Sequence, residues 1–498
     1  MRTRWREKLA VDPRALAAFR ISLGLLLLAD LVGRARDLRA HYTDFGILPR
    51  WADLQWVGLR AHLSVHALFG NAAWETALFV LATAAAVSLL LGYRTRTATA
   101  LSCYLLISLQ ARNPAILSGA DNLLRVLLLF SLFVPLGIRG SLDRPQSAAG
   151  EQPGPVLTAG TLAIQLQFCL VYWFTAAAKS GAAWHGAGTA IWIALSFDQM
   201  VSPWGHYLKQ FPRVLGLATH ATLALEWLGP ALVWSPLATS GLRVLVVLVF
   251  VAFHVLGLGP AMYLGLFPWI CAAAWLLFLP AAAWDWLARE TPRLAGLGAR
   301  VLSTLRRRTR HAEVLTSRPY GKIGECAATL LLVYGALWSL HVVDDQDFGT
   351  AGAAVGLQQT WDMFAPHPPL DDGWYVALGR LADGRAMDVW SGELPSPDKP
   401  VSVAASARNA HWVKYLEQLR QPEFVKHRRL FGNFLCRDWN EQHRGGDRLE
   451  DLTLLYMLEE TVPPDRELPP RPLALWQQSC AGVPLRGERT SEPPPHPR

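Results

Sequence analysis

The sequence predicts a polytopic α-helical membrane bundle of about nine transmembrane helices, followed by a small extracytoplasmic α+β domain. Three observations predict it. Long apolar runs fill residues 1–344 and stop there, while 345–498 read like an ordinary soluble domain. Only 17% of the 498 residues are charged, where soluble proteins carry about a quarter. The basic residues collect in the loops between apolar runs, so a net charge of +8 is a topology signal and not a nucleic-acid surface. Mean hydropathy is +0.20, and the 21 tryptophans suit side chains that anchor helices at the membrane interface.

A span needs about 20 mostly apolar residues. Nine segments qualify: 14–33, 72–92, 97–112, 119–138, 157–179, 214–235, 242–258, 261–284 and 325–343. The third is short and pinched by Arg94, Arg96 and Arg112, which leaves eight as the alternative count. The first run, Ala15 to Val32, lacks a small-residue cleavage site and is expected to stay as a helix. Nine spans put the basic N-terminus, the turn Tyr93-Arg94-Thr95-Arg96 and the arginine-rich loop 285–324 on one side, the cytoplasmic one, and the C-terminal domain outside. Residues 34–71 disagree, because an outside loop should not hold Arg34, Arg36, Arg39, Arg50 and Arg60. Helical segments lying on the membrane would account for them.

Ionisable residues inside spans are expensive and default to site candidates. Asp30 lies near the end of its span and is expected to reach water. Asp121 and Arg125 share a helix face at i, i+4 and are expected to pair. Lys179 ends the run Tyr172-Trp173-Phe174-Thr175-Ala176-Ala177-Ala178 and precedes Ser180-Gly181-Ala182-Ala183-Trp184, with no acidic residue nearby in sequence. Either it snorkels from a helix end to the interface, or it is held in apolar surroundings as a general base. Glu226 and His254 fall inside the sixth and seventh spans. A lone membrane histidine often bridges helices by a hydrogen bond, yet with Lys179 and Glu226 it would furnish a polar cavity. Nothing in the spacing shows that the three meet.

Residues 345–486 read as the α+β domain. Gly373–Leu381 and Arg385–Trp390 flank the turn Ala382-Asp383-Gly384 as a hairpin. Residues 408–420 and 422–442 read as helices separated by Pro422, and Leu452–Leu458 as a strand. Residues 487–498 read as a disordered tail. Cys103, Cys169, Cys271 and Cys326 fall in apolar segments as inert core residues. Cys436 and Cys480, alone in the extracytoplasmic domain, either pair or stay free. No zinc, nucleotide or phosphate-loop motif is present, so no metal is expected.

Five blocks in order carry a family resemblance. Tyr42-Thr43-Asp44-Phe45-Gly46-Ile47-Leu48-Pro49-Arg50 resembles the first outer loop of HTTM-domain proteins, the membrane family that includes the vitamin K-dependent γ-glutamyl carboxylases. Leu91–Arg96, Arg112-Asn113-Pro114 leading into Asp121–Arg125, Tyr172 through Lys179 to Trp184, and Phe253-His254 with Gly265–Trp269 agree, covering residues 10–345. Gln359–Pro366 is similar to the tail of bacterial HTTM proteins. The resemblance implies that Lys179 is the base that deprotonates a reduced quinone of vitamin K or menaquinol type, with His254 near the active site. The oxygenated quinol then removes a glutamate γ-proton, and CO2 adds to the carbanion. Glu226, Asp121, Arg125 and Trp184 are expected to line the cavity, with O2 and CO2 as co-substrates. Asp121 stands where the animal enzymes have a histidine. Residues 345–498 show no counterpart of their propeptide-binding region, so protein carboxylation does not follow from the resemblance.

The function expected is therefore a quinol-dependent carboxylase or epoxidase-type membrane enzyme. The alternative is a non-enzymatic maturation factor or scaffold for an exported protein or peptide. A transporter is third, because no inverted repeat is visible. Membrane lipids and a lipid quinone are the expected partners, and no nucleic acid.

Overall fold

A computed structural model describes residues 9–56, 59–143, 153–235, 239–292, 320–342, 356–461 and 468–485, with residues 304 and 352. The basic N-terminus, most of the loop 285–324, the 344/345 boundary and the tail 487–498 lie outside the described residues.

Among the described residues, ten longer helices form the bundle. They are α1 (Pro13–Ala35), α2 (Ala72–Leu91), α3 (Thr95–Arg112), α4 (Gly119–Ser131), α5 (Ala159–Ala178), α6 (Pro212–Trp234), α7 (Ser240–Ala252), α8 (Phe267–Trp275), α9 (Ala281–Glu290) and α10 (Gly321–Ser339). Local chemistry sets their ends. Asp12 caps α1 by accepting the Arg14 N–H at 2.7 Å, and Pro13 occupies the first turn, where no donor is needed. Asn71 caps α2 and Thr158 caps α5 in the same way. Gly92 ends α2 at φ 67°, a left-handed conformation that glycine adopts freely. Helix α7 runs on to Ala261 through a π-helical turn, Phe253–Leu258.

The nine expected spans are corrected by these lengths. Among the described residues, four helices are long and apolar enough to cross a membrane: Pro13–Ala35, Ala72–Leu91, Ala159–Ala178 and Ser240–Ala261. A fifth arises if Phe267–Phe278 and Ala281–Glu290, bent by 105°, count as one. Helix α4, at 13 residues, reaches only about 20 Å against about 30 Å of hydrocarbon. Helix α3 carries Thr95, Arg96, Thr97, Thr99, Ser102, Ser108, Gln110 and Arg112. Helix α6 carries Arg213, His220, Glu226 and Pro230, and α10 carries Lys322 and Glu325. These residues dilute the apolar character that the span test requires.

The helices pack on a core of Leu16, Phe19, Leu127, Phe130, Phe168, Tyr172 and Trp275. Phe250 stacks on Trp275 with centroids 4.0 Å apart. Gly24 lets α1 meet α2, since a Cβ there would lie 2.8 Å from the Leu90 backbone. The opposite helix faces are apolar and bare: Leu25, Val80, Leu217, Leu248, Leu256 and Leu330 are all more than half exposed. So much exposed leucine and valine on helix exteriors suits lipid, not water.

The C-terminal unit is an antiparallel sheet in the order β2-β1-β3-β4, made of β1 (Asp371–Leu381), β2 (Ala386–Asp388), β3 (Leu449–Glu460) and β4 (Arg471–Ser479). Helices α11 (Ala410–Leu419) and α12 (Val425–Gln442) are the two expected. Strand β4 was not foreseen. It is an edge strand of mostly exposed residues opening on Arg471-Pro472, without clear alternation. Cys436 on α12 and Cys480 after β4 form a disulfide, which resolves that pairing. Both sulfurs are buried, and the bond closes a separation of 44 residues. Cys480→Ser is expected to lower the unit's stability by about 2–4 kcal/mol. Chemical denaturation with and without reductant checks this, and an unchanged midpoint would contradict it.

The unit docks on one end of the bundle through a continuous apolar cluster that joins Leu31, Tyr42, Phe79 and Ile116 to Ala377, Trp412 and Phe431. The short helices Leu38–Tyr42 and Arg50–Trp56 are sandwiched there, with Trp56 5.0 Å from His427 and Ala52 packed near Leu430. These two helices of the loop 34–71 thus pack against the C-terminal unit, while Trp51, Leu63, Leu68 and Phe69 of the same loop stay exposed. Its Arg34 is paired with Asp30 and Asp121, and its Arg50 with Asp44.

Polar contacts finish the docking. Asn409 donates to Asp37 at 2.6 Å, and Gln199 donates to the Gly373 carbonyl at 3.1 Å and to Tyr456 at 2.8 Å. Asp372 accepts the backbone N–H groups of Asp198 and Gln199. Burial pushes the Asp372 carboxyl up from 3.8 to about 7. A carboxyl raised on folding stabilises fully below its unfolded value, and that stability is lost as pH rises through the folded value. Docking should therefore weaken between pH 4 and 7, by up to about 4 kcal/mol at roughly 1.4 kcal/mol per unit. Asp372→Asn should flatten this dependence. Melting temperatures across that range test it, and a wild-type profile as flat as the variant's would refute it.

Candidate functional site

Lys179 follows the last turn of α5, with its own N–H still bonded to the Thr175 carbonyl at 3.3 Å. Its side chain turns into the bundle instead of snorkelling. Nζ donates to both oxygens of Glu226 on α6, at 2.5 and 2.6 Å, and both side chains are buried. The same ammonium lies 4.5 Å from the centroid of the Trp184 ring, a cation–π contact. Glu226 sits four residues before Pro230, which has no N–H to give the Glu226 carbonyl, so the helix ladder is open beside the pair.

The segment after α10 closes over this corner. The Trp184 indole donates to the Phe364 carbonyl at 2.9 Å, and Gly181 donates to the Pro366 carbonyl at 3.0 Å. A Cβ on Gly181 would stand 2.6 Å from that carbonyl oxygen, so only glycine permits the approach. The Gln359–Pro366 motif is thus the covering strap of the Lys179 pair.

His254 lies in the π-helical turn and does not join the pair. Its Nε2 meets the Tyr172 hydroxyl at 2.8 Å, and that hydroxyl accepts the Trp275 indole N–H at 2.9 Å. The His254 Nδ1 is buried without a partner. Tyr172 on α5 and Lys179 just past its end are seven residues apart, about 10 Å along the axis. The structure therefore unites Lys179, Glu226 and Trp184, and puts His254 two turns away against the same helix. π-Helical turns frequently mark functional sites.

Asp121 and Arg125 are not paired to each other, contrary to the i, i+4 expectation. The Asp121 carboxylate caps its own helix by accepting from Ser118 at 2.7 Å, which draws it toward Arg34 on α1. Arg125 donates to the Gly356 carbonyl at 2.7 Å, to Asn122 at 2.8 Å and to Gln110. Asp30 does not reach water. It is buried and accepts from Arg34 at 2.8 Å. Sequence reasoning missed Arg34, which also donates to the Tyr42 hydroxyl at 2.7 Å. It also missed His411, which α11 brings within 4.0 Å of both Asp30 and Asp121. The i, i+4 spacing of Asp30 and Arg34 was a local signal for that pair, whereas Asp121, 87 residues from Arg34, and His411, several hundred residues away, left none.

Among the described residues, Asp30, Asp121 and His411 are one group whose ligand atoms lie within 4.8 Å of one another, as a metal would need. The Arg34 guanidinium already donates to both carboxylates, so it supplies the cation there. Burial, and then the Arg34 charge, hold the His411 imidazole below its ordinary value.

Apolar helices with bare leucine faces, wrapped around a buried acid–base pair, define a helical membrane protein. The chain belongs to the HTTM domain family, whose model matches residues 9–286. That stretch holds Lys179, Glu226 and His254 alike. No curated protein and no solved structure matches the chain.

Proposed function

We propose that the protein is a quinol-dependent membrane enzyme of the bacterial γ-carboxylase-like type, in which Lys179 and Glu226 act as one proton-accepting unit. The observation that carries the reading is the ion pair itself, buried in an apolar bundle beneath the Gln359–Pro366 strap. Both Glu226 oxygens lie within hydrogen-bond reach of Lys179 Nζ, so the pair shares one proton, and Lys179 accepts the quinol proton together with Glu226. The pair takes the quinol hydroxyl proton, and its positive charge then holds the resulting oxygen anion in a site where charge–charge attraction is strong. The Trp184 ring, 4.5 Å from the Lys179 nitrogen, holds the positive charge at the same corner. Reduced vitamin K or menaquinol is the proposed substrate class, with O2 and CO2 as co-substrates.

The C-terminal unit is proposed to face the extracytoplasmic side, with a cytoplasmic N-terminus. Its Cys436–Cys480 bond supports that side, since disulfides persist in oxidising compartments. The test uses purified protein in lipid nanodiscs with reduced menaquinone. Lys179→Ala is expected to lower quinol oxidation about 100-fold or more, the scale of a lost acid–base group. If the variant matched wild type, the enzyme reading would fail, and a maturation factor or scaffold for an exported protein would take its place.

A further inference from the structure

A row of exposed aromatic rings lies at the end of the bundle that carries the C-terminal unit. Ser202 caps the short helix Pro203–Leu208 by accepting the Gly205 N–H at 3.1 Å. Trp204 stacks on Tyr207 with centroids 5.3 Å apart, and Tyr207 meets Phe211 edge-on at 5.5 Å. The three rings are 43% to 49% exposed. Backbone bonds tie this helix to the end of α7. Val201 and Met262 form an antiparallel bridge, the Ser202 N–H donates to the Ala261 carbonyl at 3.0 Å, and the Tyr263 N–H donates to the Met200 carbonyl at 2.7 Å. A Cβ on Gly205 would stand 2.4 Å from the Ala261 carbonyl oxygen, so only glycine lets the short helix lie so close. Ser240–Ala261 has 22 residues, about 33 Å of helix against about 30 Å of hydrocarbon. The rings are therefore held where a helix of membrane length ends. Phe211 also directly precedes α6, whose first turns expose Val214 and Leu217, 59% and 74%.

We propose that Pro203–Phe211 is an interfacial anchor whose partner is the phospholipid headgroup layer on the C-terminal unit's side of the membrane. The row continues into the bare apolar side of α6, so one edge of it meets hydrocarbon. The other edge is polar, with His206, Gln210 and Arg213 exposed beside the rings. Trp and Tyr rings, apolar in body with one N–H or O–H, suit that boundary, and a guanidinium there reaches lipid phosphate. The inner side of the anchor is fixed to protein. Val201, Leu208 and Leu215 pack with Phe364 of the strap, whose carbonyl accepts the Trp184 indole N–H. Gln199, just before the anchor, donates to Gly373 and Tyr456 of the C-terminal unit. The anchor therefore sets that unit, and the cover of the Lys179 pair, against the membrane surface.

The test is nitroxide labelling of the full chain in lipid nanodiscs, with the exposed Cys326 changed to serine. Single labels enter through Tyr207→Cys, through Leu217→Cys on the bare side of α6, and through Ala382→Cys in the exposed β1–β2 turn. Oxygen, which concentrates in hydrocarbon, and a water-soluble nickel chelate each relax the label, and the ratio of the two effects reads depth. The oxygen-to-nickel ratio at Tyr207→Cys is expected severalfold above that at Ala382→Cys and severalfold below that at Leu217→Cys. A ratio equal to that at Ala382→Cys would overturn the proposal. So would low access to both reagents, the result that a second copy seated on the rings would give. Each labelled protein is first checked for a monodisperse profile. If one fails, wild type decides alone, with a phospholipid carrying a diazirine in its headgroup. Crosslinks are then expected on Ser202–Arg213 and absent from the β1–β2 turn, and their absence from Ser202–Arg213 would overturn the proposal. Quinol turnover enters neither measurement.

Discussion

Arg34→Met is expected to be among the most damaging single substitutions in the bundle. Arg34 is fully buried, and its guanidinium bonds Asp30, Asp121 and Tyr42 at once. Methionine keeps much of the volume and removes the charge. Two carboxylates would then lie buried with no guanidinium between them, and only the imidazole of His411 would remain close. Breaking a buried ion pair by deleting one partner costs roughly 3–5 kcal/mol, because the remaining charge is uncompensated. The loss reaches the C-terminal unit too, since α11 docks on this cluster through His411. Thermal unfolding of the purified protein should show the drop. The triple change Arg34→Met, Asp30→Asn, Asp121→Asn should recover most of it, by removing the stranded charges. A single variant as stable as wild type would show that the cluster contributes no net stability.

The second large effect belongs to Glu226. Glu226→Leu strands the Lys179 ammonium in apolar surroundings, with only the Trp184 ring to hold it. Stability should fall by about 3–5 kcal/mol, and quinol turnover with it. The double variant Lys179→Met, Glu226→Leu replaces the pair by apolar side chains of similar size. Such replacements of buried pairs are often neutral or stabilising. The double variant is expected to melt near wild type and to stay inactive. Recovery of stability without activity separates a functional pair from a structural one. Recovery of both would mean that the pair only holds α5 to α6.

Some of the site was legible in the chain. The apolar blocks, the position of Lys179 at a helix end and the small residues after it were all readable locally. Trp184 was readable as well, five residues on. What was not readable was direction. A lysine at a span end can point to the interface or inward, and Glu226, 47 residues away, decides. Asp121 shows the opposite failure. Its i, i+4 neighbour Arg125 was a sound local expectation, yet capping by Ser118 aims the carboxylate at Arg34, 87 residues back. Strand β4 escaped because an exposed edge strand carries little pattern of its own.

The sequence alone determined that this is a helical membrane chain with an α+β C-terminal unit. Hydrophobic runs and strand periodicity are local properties, summed over many residues. It also marked the ionisable residues inside the bundle, because burying charge in an apolar segment is costly enough to stand out. Only the tertiary structure decided how many helices are long enough to span. Only it decided that Lys179 belongs with Glu226, that His254 belongs with Tyr172, and that Arg34 joins two carboxylates under the C-terminal unit. Those choices depend on which helix faces meet, and apart from Asp30, one turn before Arg34 on the same helix, each partner is reached across a gap in sequence that no local pattern encodes.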